Sequence, residues 1–352
     1  MFSIISVGLG FFLTSPAISG EKIPQVQVNL SQEMTLQEAA QANQVSLETI
    51  GAALHINAEA MSQRKLGEVL GQEQLSTVSQ SLEKLIIEKK LEENKNWPVV
   101  FAKLGLWALL ILGSGFLLAR GKTSTPLRLT ILAVVVLVLG FVLGSDPNPL
   151  GMIKDALYIY GTTGVVFKPR IIVGAAILLT VAVGGRLYCG WGCHLGALQD
   201  LLYHTRLPKF RIHFGISNLF RFLALAGIAV AALAYGLDIL DPVDPYKMFN
   251  FDLSQGILIS AGLILVLSLF TYRPWCTLVC PFGFLAWAVE KLSFLKINYR
   301  PDLCKNCRAC ADSCPTGRAA SKLAGQQSGE CYSCGQCLDA CKFGAVSYGR
   351  KK

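Results

Sequence analysis

Between residues 304 and 341, eight cysteines stand in two copies of one spacing, and no other feature constrains this chain as tightly. Cys304, Cys307, Cys310 and Cys314 read C-x2-C-x2-C-x3-C and run into Pro315. Cys331, Cys334, Cys337 and Cys341 repeat the spacing, with Lys342 in the proline's place. An iron–sulfur cubane needs thiolates converging from several directions. Three cysteines two residues apart can wrap one cubane, and a fourth can be lent to a neighbouring cluster. Zinc is the competing ion, because C-x2-C pairs are common in zinc sites. Zinc sites seldom carry three cysteines in a row at this spacing, twice over, so iron–sulfur is the stronger expectation. Ala309, Gly317, Gly335, Ala340 and Gly344 are small enough to let backbone N–H groups approach cluster sulfurs.

The sharing of fourth cysteines implies two ligand sets. Cys304, Cys307, Cys310 and Cys341 would hold cluster 1, and Cys331, Cys334, Cys337 and Cys314 would hold cluster 2. Over roughly residues 296–348 the chain resembles the bacterial two-cluster ferredoxin domain, an α+β unit.

The rest of the chain is built for lipid. Only 16% of its 352 residues are charged, against about 25% in soluble domains, and 52% are hydrophobic. A single soluble globule, a disordered chain and a small disulfide scaffold are thereby excluded. Five apolar segments, roughly 99–119, 129–145, 171–190, 216–237 and 253–272, approach bilayer-spanning length. Lys103 and Arg186 at their margins are expected to snorkel towards an interface. Loops 120–128 and 186–221 hold 8 Lys and Arg, whereas loops 146–170 and 238–252 hold 4, so the first pair is expected in the cytoplasm. Five crossings then put the cysteine tail in the cytoplasm, where thiols stay reduced, and residues 21–96 outside.

Residues 1–20 agree with that orientation. An apolar stretch from Phe2 to Leu13 leads to the small-residue run Ala17-Ile18-Ser19-Gly20, as in a signal peptide or an uncleaved signal anchor. Residues 21–96 carry a net charge of −4, the remaining 97–352 a net +13. Apolar residues at helical spacing from Leu36 to Leu54, and Thr35 with Glu38 as a capping box, predict a small helical hairpin; residues 75–95 predict a charged helix. The run from Thr35 to Leu54 also resembles a repressor-type helix-turn-helix. With no Lys or Arg between Lys22 and Arg64 it lacks the phosphate contacts that DNA binding needs, so no nucleic-acid partner is expected.

Four cysteines remain. Cys189 with Cys193 and Cys276 with Cys280 are i, i+4 pairs at the cytoplasmic ends of two expected crossings. On a helix each pair shares a face, and the two pairs lie at one depth. They could converge as a third site for an iron–sulfur cluster, zinc or copper, or stand as buried or redox-active thiols; the spacing leaves both open.

Arg186-Leu187-Tyr188-Cys189-Gly190-Trp191, Trp275-Cys276 through Cys280-Pro281-Phe282-Gly283, and Asp241-Pro242 to Phe249 between them precede the ferredoxin tail. Together, over roughly residues 97–348, they resemble the membrane polyferredoxin family of NapH-, NosR- and CcoG-like proteins. His194 departs from the pattern by standing where the first motif usually has proline, and the segment 21–96 is an addition to the simplest members. No threonine-linked flavin signature is present. His194 is a weak candidate for a metal ligand or a proton acceptor, and a hydrogen-bonded interfacial histidine is the plainer reading. His204 and His213 fall in the basic loop and His55 in the polar segment, so no paired histidines at crossing depth suggest haem. Trp191, Trp275 and Trp287 suggest interfacial anchors, and Asp200 with Arg186 and Arg206 a solvated loop network.

The expectation is a mainly α protein. It would comprise a signal segment (1–20), an exported helical domain (21–96), a multi-pass membrane domain of about five crossings (97–295) and a two-[4Fe–4S] ferredoxin-like domain (296–352). The resemblance implies a cell-membrane electron carrier between the quinone pool, or another membrane reductant, and partner redox proteins or reductase subunits. It would be an oxidoreductase component of the quinol dehydrogenase kind, with quinone itself a candidate ligand. The alternative is an assembly or regulatory factor that reduces a metal ion or thiol while a respiratory enzyme matures. A scaffold with structural clusters is the non-redox option, and twelve cysteines in redox-suited patterns argue against it.

Overall fold

The computed structural model describes residues 24, 26–54, 56, 61–69, 72–93, 97–144, 147–319 and 330–350. The expected signal segment 1–20 and His55 lie outside the described residues. The described chain is mainly helical, with one two-stranded sheet, and divides into two compact units.

The polar unit comprises residues 21–96 and 159–167. Its helices are α1 (Leu36–Ala42), α2 (Leu47–Leu54), α3 (Leu66–Val69) and α4 (Gln72–Glu93). Thr35 Oγ1 accepts from Glu38 N (3.2 Å) while Glu38 accepts from Thr35 N (2.8 Å), so the capping box forms as its spacing predicts. Leu36, Ala39, Ile50, Leu66, Leu82 and Ile86 make its core.

The second unit starts with α5 (Trp97–Ala119) and α6 (Thr125–Val134), which runs on as a π-helical stretch over Val135–Val142. After α7 (Gly151–Thr163), whose residues from 159 on are counted with the polar unit, and α8 (Lys168–Gly184) come α9 (His194–Tyr203), α10 (Phe214–Tyr235), α11 (Gln255–Ser268) and α12 (Pro281–Glu290). Among the described residues three helices are long and apolar enough to cross a membrane: Trp97–Ala119, Thr125–Val142 and Phe214–Tyr235. Leu109 (69% exposed), Leu112 (70%) and Val230 (57%) show that their outer faces suit lipid. The two further segments expected to cross are shorter. Gly185 takes φ +70° and ends α8 at Gly184, and α11 has 14 residues, about 21 Å of helix.

The tail folds onto this base. β1 (Leu295–Tyr299) pairs antiparallel with β2 (Val346–Arg350), matching Ile297 to Tyr348, and the short helices α13 (Ala309–Asp312) and α14 (Gln336–Ala340) follow the two cysteine loops. One continuous core takes in Trp107 and Ile111 of α5, Trp191, and Cys337, Val346 and Tyr348 of the tail. Arg186 is not a snorkelling residue: it is 1% exposed and ion-paired inside the unit, because Gly185 turns the chain inward; Lys103 is likewise buried.

Candidate functional site

The two tail loops share an unusual backbone. Asn306 (φ +53°) and Arg308 (φ +61°) in the first loop correspond to Ser333 (φ +50°) and Gly335 (φ +84°) in the second. Left-handed residues on either side of Cys307 and Cys334 bend each loop sharply, and left-handed positions recur in the backbone nests that favour anions such as thiolate-bound clusters. Ser333 N donates to Cys331 Sγ at 3.4 Å. Glycine is required at 335, where a Cβ would meet Leu118 at 2.8 Å, whereas Arg308 is exposed.

The side chains gather in two groups. The Cys310 thiol has Cys341, Cys304 and Cys307 as its electrostatic neighbours, and these four line one cavity of about 240 Å³. The Cys337 thiol has Cys334, Cys331 and Cys314. Among the described residues no three His, Cys, Asp or Glu side chains sit close enough to hold a single metal ion. A cubane sets its ligands farther apart, since its own iron and sulfide fill the space between them. The two donor sets and the left-handed turns fit iron–sulfur cubanes, as does the cavity at the first set.

The membrane cysteine segments are built alike. Each begins at an arginine: Gly190 N donates to Arg186 O, and Thr277 N to Arg273 O, both at 2.9 Å. Each then widens into a π-turn, Tyr188–Gly192 or Trp275–Val279, where Cys193 N donates to Tyr188 O and Cys280 N to Trp275 O. The second cysteine of each pair is the N-cap of a new helix, α9 or α12. The pairs therefore do not lie on a regular α-helix as the i, i+4 reading assumed. All four thiols are buried, and Cys276 has Cys193, Cys280 and Cys189 as neighbours. Tyr246 Oη lies 3.3 Å from Cys193 Sγ, and Gln199 Nε2 donates to Cys276 Sγ at 3.7 Å. His194, 1% exposed, sets its ring edge-on to Tyr246 and Phe249.

Two buried carboxylates tie these segments together. Asp200 accepts from Arg128 (2.5 and 3.2 Å), Tyr272 Oη (2.7 Å) and Arg273 Nε (3.0 Å) and Nη2 (2.6 Å). Arg273 also donates to the Cys189 and Gly190 carbonyls, so one side chain of the second segment grips the backbone of the first. Burial pushes the Asp200 carboxyl up, but the Arg128 and Arg273 guanidiniums outweigh it and hold the group well below the usual carboxylate range. The solvated network of Asp200 with Arg186 and Arg206 is thus replaced by a buried one with other partners.

Glu330, the residue before Cys331, accepts from Arg186 and from Arg221 (2.7 Å) and receives the Tyr332 hydroxyl (3.1 Å). The Tyr332 ring packs under the Arg186 (4.3 Å) and Arg273 (5.4 Å) guanidiniums. Trp191, 1% exposed, donates its indole N–H to Ser333 O at 2.9 Å, and Trp275 is buried too; neither is an interfacial anchor. A Cβ on Gly190 would stand 2.1 Å from Tyr332 O, which shows how closely the first membrane segment meets the loop holding Cys331 and Cys334. Sequence reasoning missed Glu330, Gln199, Tyr246 and Tyr332. The one available signal was Arg186, a charge in an apolar setting that needs a counterion.

A buried lysine reaches the turn that carries Tyr246. Lys154 Nζ contacts Asp238 (3.0 Å), Asp241 (3.2 Å), Asp155 (3.3 Å) and Asp244 (3.6 Å). Asp244 caps the turn by accepting from Tyr246 N at 2.9 Å, and burial pushes its carboxyl up to about 6 against the pull of Lys154.

Comparison with known proteins agrees with this arrangement. Residues 169–217 and 253–299 match the model of a 4Fe-4S binding domain, and residues 296–342 that of a 4Fe-4S dicluster domain. An uncharacterized protein of Methanocaldococcus jannaschii is 28% identical over 52% of this chain and 76% of its own length. The putative electron transport protein YccM of Escherichia coli is 30% identical over 47% of this chain, and the methylamine utilization ferredoxin-type protein MauN of Methylorubrum extorquens 33% over 43%. The chain spans just over half the length of these last two, 53% and 56%. No solved structure matches.

Proposed function

On the footing that this chain belongs to the membrane-associated polyferredoxin family, we propose that it carries electrons between a membrane reductant of the quinol type and a partner redox protein. Cys304, Cys307, Cys310 and Cys341 hold one [4Fe–4S] cluster, and Cys331, Cys334, Cys337 and Cys314 the other. Bound there, the clusters supply one-electron redox chemistry, which is the cofactor's own; the protein supplies position and electrostatics. Cys189, Cys193, Cys276 and Cys280 form the entry site, with His194 and Tyr246 at its edge. The tail lies in the cytoplasm of a multi-pass cell-membrane protein, and residues 21–96 lie outside. The two short segments ending at Gly184 and Ser268 complete five crossings.

The contact that carries this reading is the one between the first membrane segment and the Cys331 loop. Glu330 binds Arg186, three residues before Cys189, and Trp191 binds Ser333, next to Cys334. Electron transfer needs its centres held close, and these bonds supply that. Anaerobic purification with iron counting and EPR tests the inventory: two or three cubanes' worth of iron are expected, with at least one signal bleached or raised by a menaquinol analogue. Colourless, iron-free protein would end the proposal.

The four buried, neighbouring thiols of the membrane segments are soft donors, which favours a second reading in which the chain reduces a metal ion or thiol during assembly of another enzyme. Stoichiometric reduction of Cu(II) with no response to any quinol would select it.

A further inference from the structure

The two cysteine loops are copies in backbone and opposites in surface. In the second copy, Tyr332, Ser333 and Gly335 are packed away: Tyr332 under two guanidiniums, Ser333 against Trp191, Gly335 against Leu118. Lys305, Asn306 and Arg308 hold the corresponding places in the first copy, and all three are exposed. Cys307 is the exposed member of its set, whereas Cys334, its counterpart, is buried. Arg300, Lys305 and Arg308 line the cavity around Cys304, Cys307, Cys310 and Cys341, Phe343 is 48% exposed beside them, and no Asp or Glu lines it. Lys342 is exposed next to Cys341; the exposed carboxylates near this loop are Asp302 before Cys304, Asp312 after Cys310, and Asp339 before Cys341, the last accepting from Thr125. The cations near the buried loop are neutralised by Glu330 and Asp200, whereas Arg300, Lys305 and Arg308 face the cavity of the exposed loop with no carboxylate among its lining residues.

The face that docks the second loop onto the membrane segments is therefore open and basic in the first. We propose that this face, formed by Arg300, Lys305, Arg308 and Lys342 around Cys307, docks an acidic one-electron carrier protein. The proposal rests on the electron-transfer reading and names its outlet. A single electron passes between the centre held by Cys304, Cys307, Cys310 and Cys341 and the carrier's one-electron centre, one oxidised as the other is reduced; no bond or proton changes place. Arginine and lysine at the rim steer the encounter and fix its orientation.

The test uses the full chain in detergent with its clusters, and an acidic plant-type [2Fe–2S] ferredoxin as probe. Binding is measured by titration at low and high ionic strength. The Lys305→Glu/Arg308→Glu variant is expected to bind at least about tenfold more weakly, with iron content and EPR signals unchanged, and wild-type binding to fall as salt is raised. Lys305→Gln/Arg308→Gln, gentler on the loop, should fall between, and it carries the test if the glutamate variant loses iron. Equal binding by a variant with intact EPR signals overturns the proposal. So does loss of binding to phosphatidylglycerol vesicles with ferredoxin binding untouched, which would make the patch a lipid contact. Charge-dependent binding without electron exchange in stopped flow upholds the docking face and sinks the electron-transfer reading; exchange that ignores the charge changes does the reverse.

Discussion

Asp200→Asn tests the inner architecture most directly. The carboxylate is fully buried and answers two guanidiniums, Arg128 and Arg273, and the Tyr272 hydroxyl. Asparagine keeps the shape and one acceptor oxygen but leaves both cations without a counterion. Breaking a buried pair in this way costs about 3–5 kcal/mol, and two cations share this one partner. At the few degrees per kcal/mol usual for domains of this size, the apparent melting temperature in detergent should fall by roughly 5–15 °C. Because Arg273 also grips the Cys189 and Gly190 carbonyls, the loss should spread to the thiols. Maleimide labelling of Cys189 and Cys276, near zero while they are buried, should rise well before global melting. Adding Arg128→Gln to Asp200→Asn removes a stranded cation and should recover part of the loss, so the effects are not additive. If Asp200→Asn melts with wild type and its thiols stay protected, the network is not what joins the two segments.

Gly190→Ala should displace the Cys331 loop, since the new methyl would stand 2.1 Å from Tyr332 O; the EPR signal of that cluster should broaden or vanish while the other persists. Cys337→Ser and Cys304→Ser should remove different clusters, each variant losing about half of the tail's iron and a different EPR signal. Asp244 predicts a pH effect. Its folded carboxyl is raised to about 6, so the stability it contributes is full below about pH 4 and is lost as pH climbs through 6. Asp244→Asn, which can still cap Tyr246 N, should therefore gain on wild type as pH rises from about 4 to about 7. About 3 kcal/mol is the ceiling for that relative gain in chemical unfolding, and parallel pH profiles would refute the assignment.

The parts of this structure that could be read in the sequence are those set by local spacing. The cysteine triplets curl into left-handed turns within seven residues, and Thr35 with Glu38 closes its box within four. Apolar length alone marks Trp97–Ala119 and Phe214–Tyr235 as helices long enough to cross a membrane. What escaped depends on partners far apart in the chain. Arg186 meets Glu330 144 residues later, and Asp200 meets Arg128 and Arg273 at 72 and 73 residues. Nothing periodic marks such pairs, so nearby Arg206 looked as good a partner as distant Arg273. The π-turns at Tyr188–Gly192 and Trp275–Val279 were hidden for a related reason. Regular helical spacing is what apolar residues suggest, and nothing in that spacing marks the wider turn between the arginine that opens each segment and the cysteine cap that closes it.

The bonds from Glu330 to Arg186 and Arg221 carry one more consequence. Carriers that deliver charge by swinging a mobile head between two stations spend part of every cycle far from either. Here the head is bolted to its post by a carboxylate shared between two guanidiniums, and the indole of Trp191 adds a second fastening. On the electron-transfer proposal, the chain is then a fixed terminal rather than a shuttle, and traffic has to arrive at it.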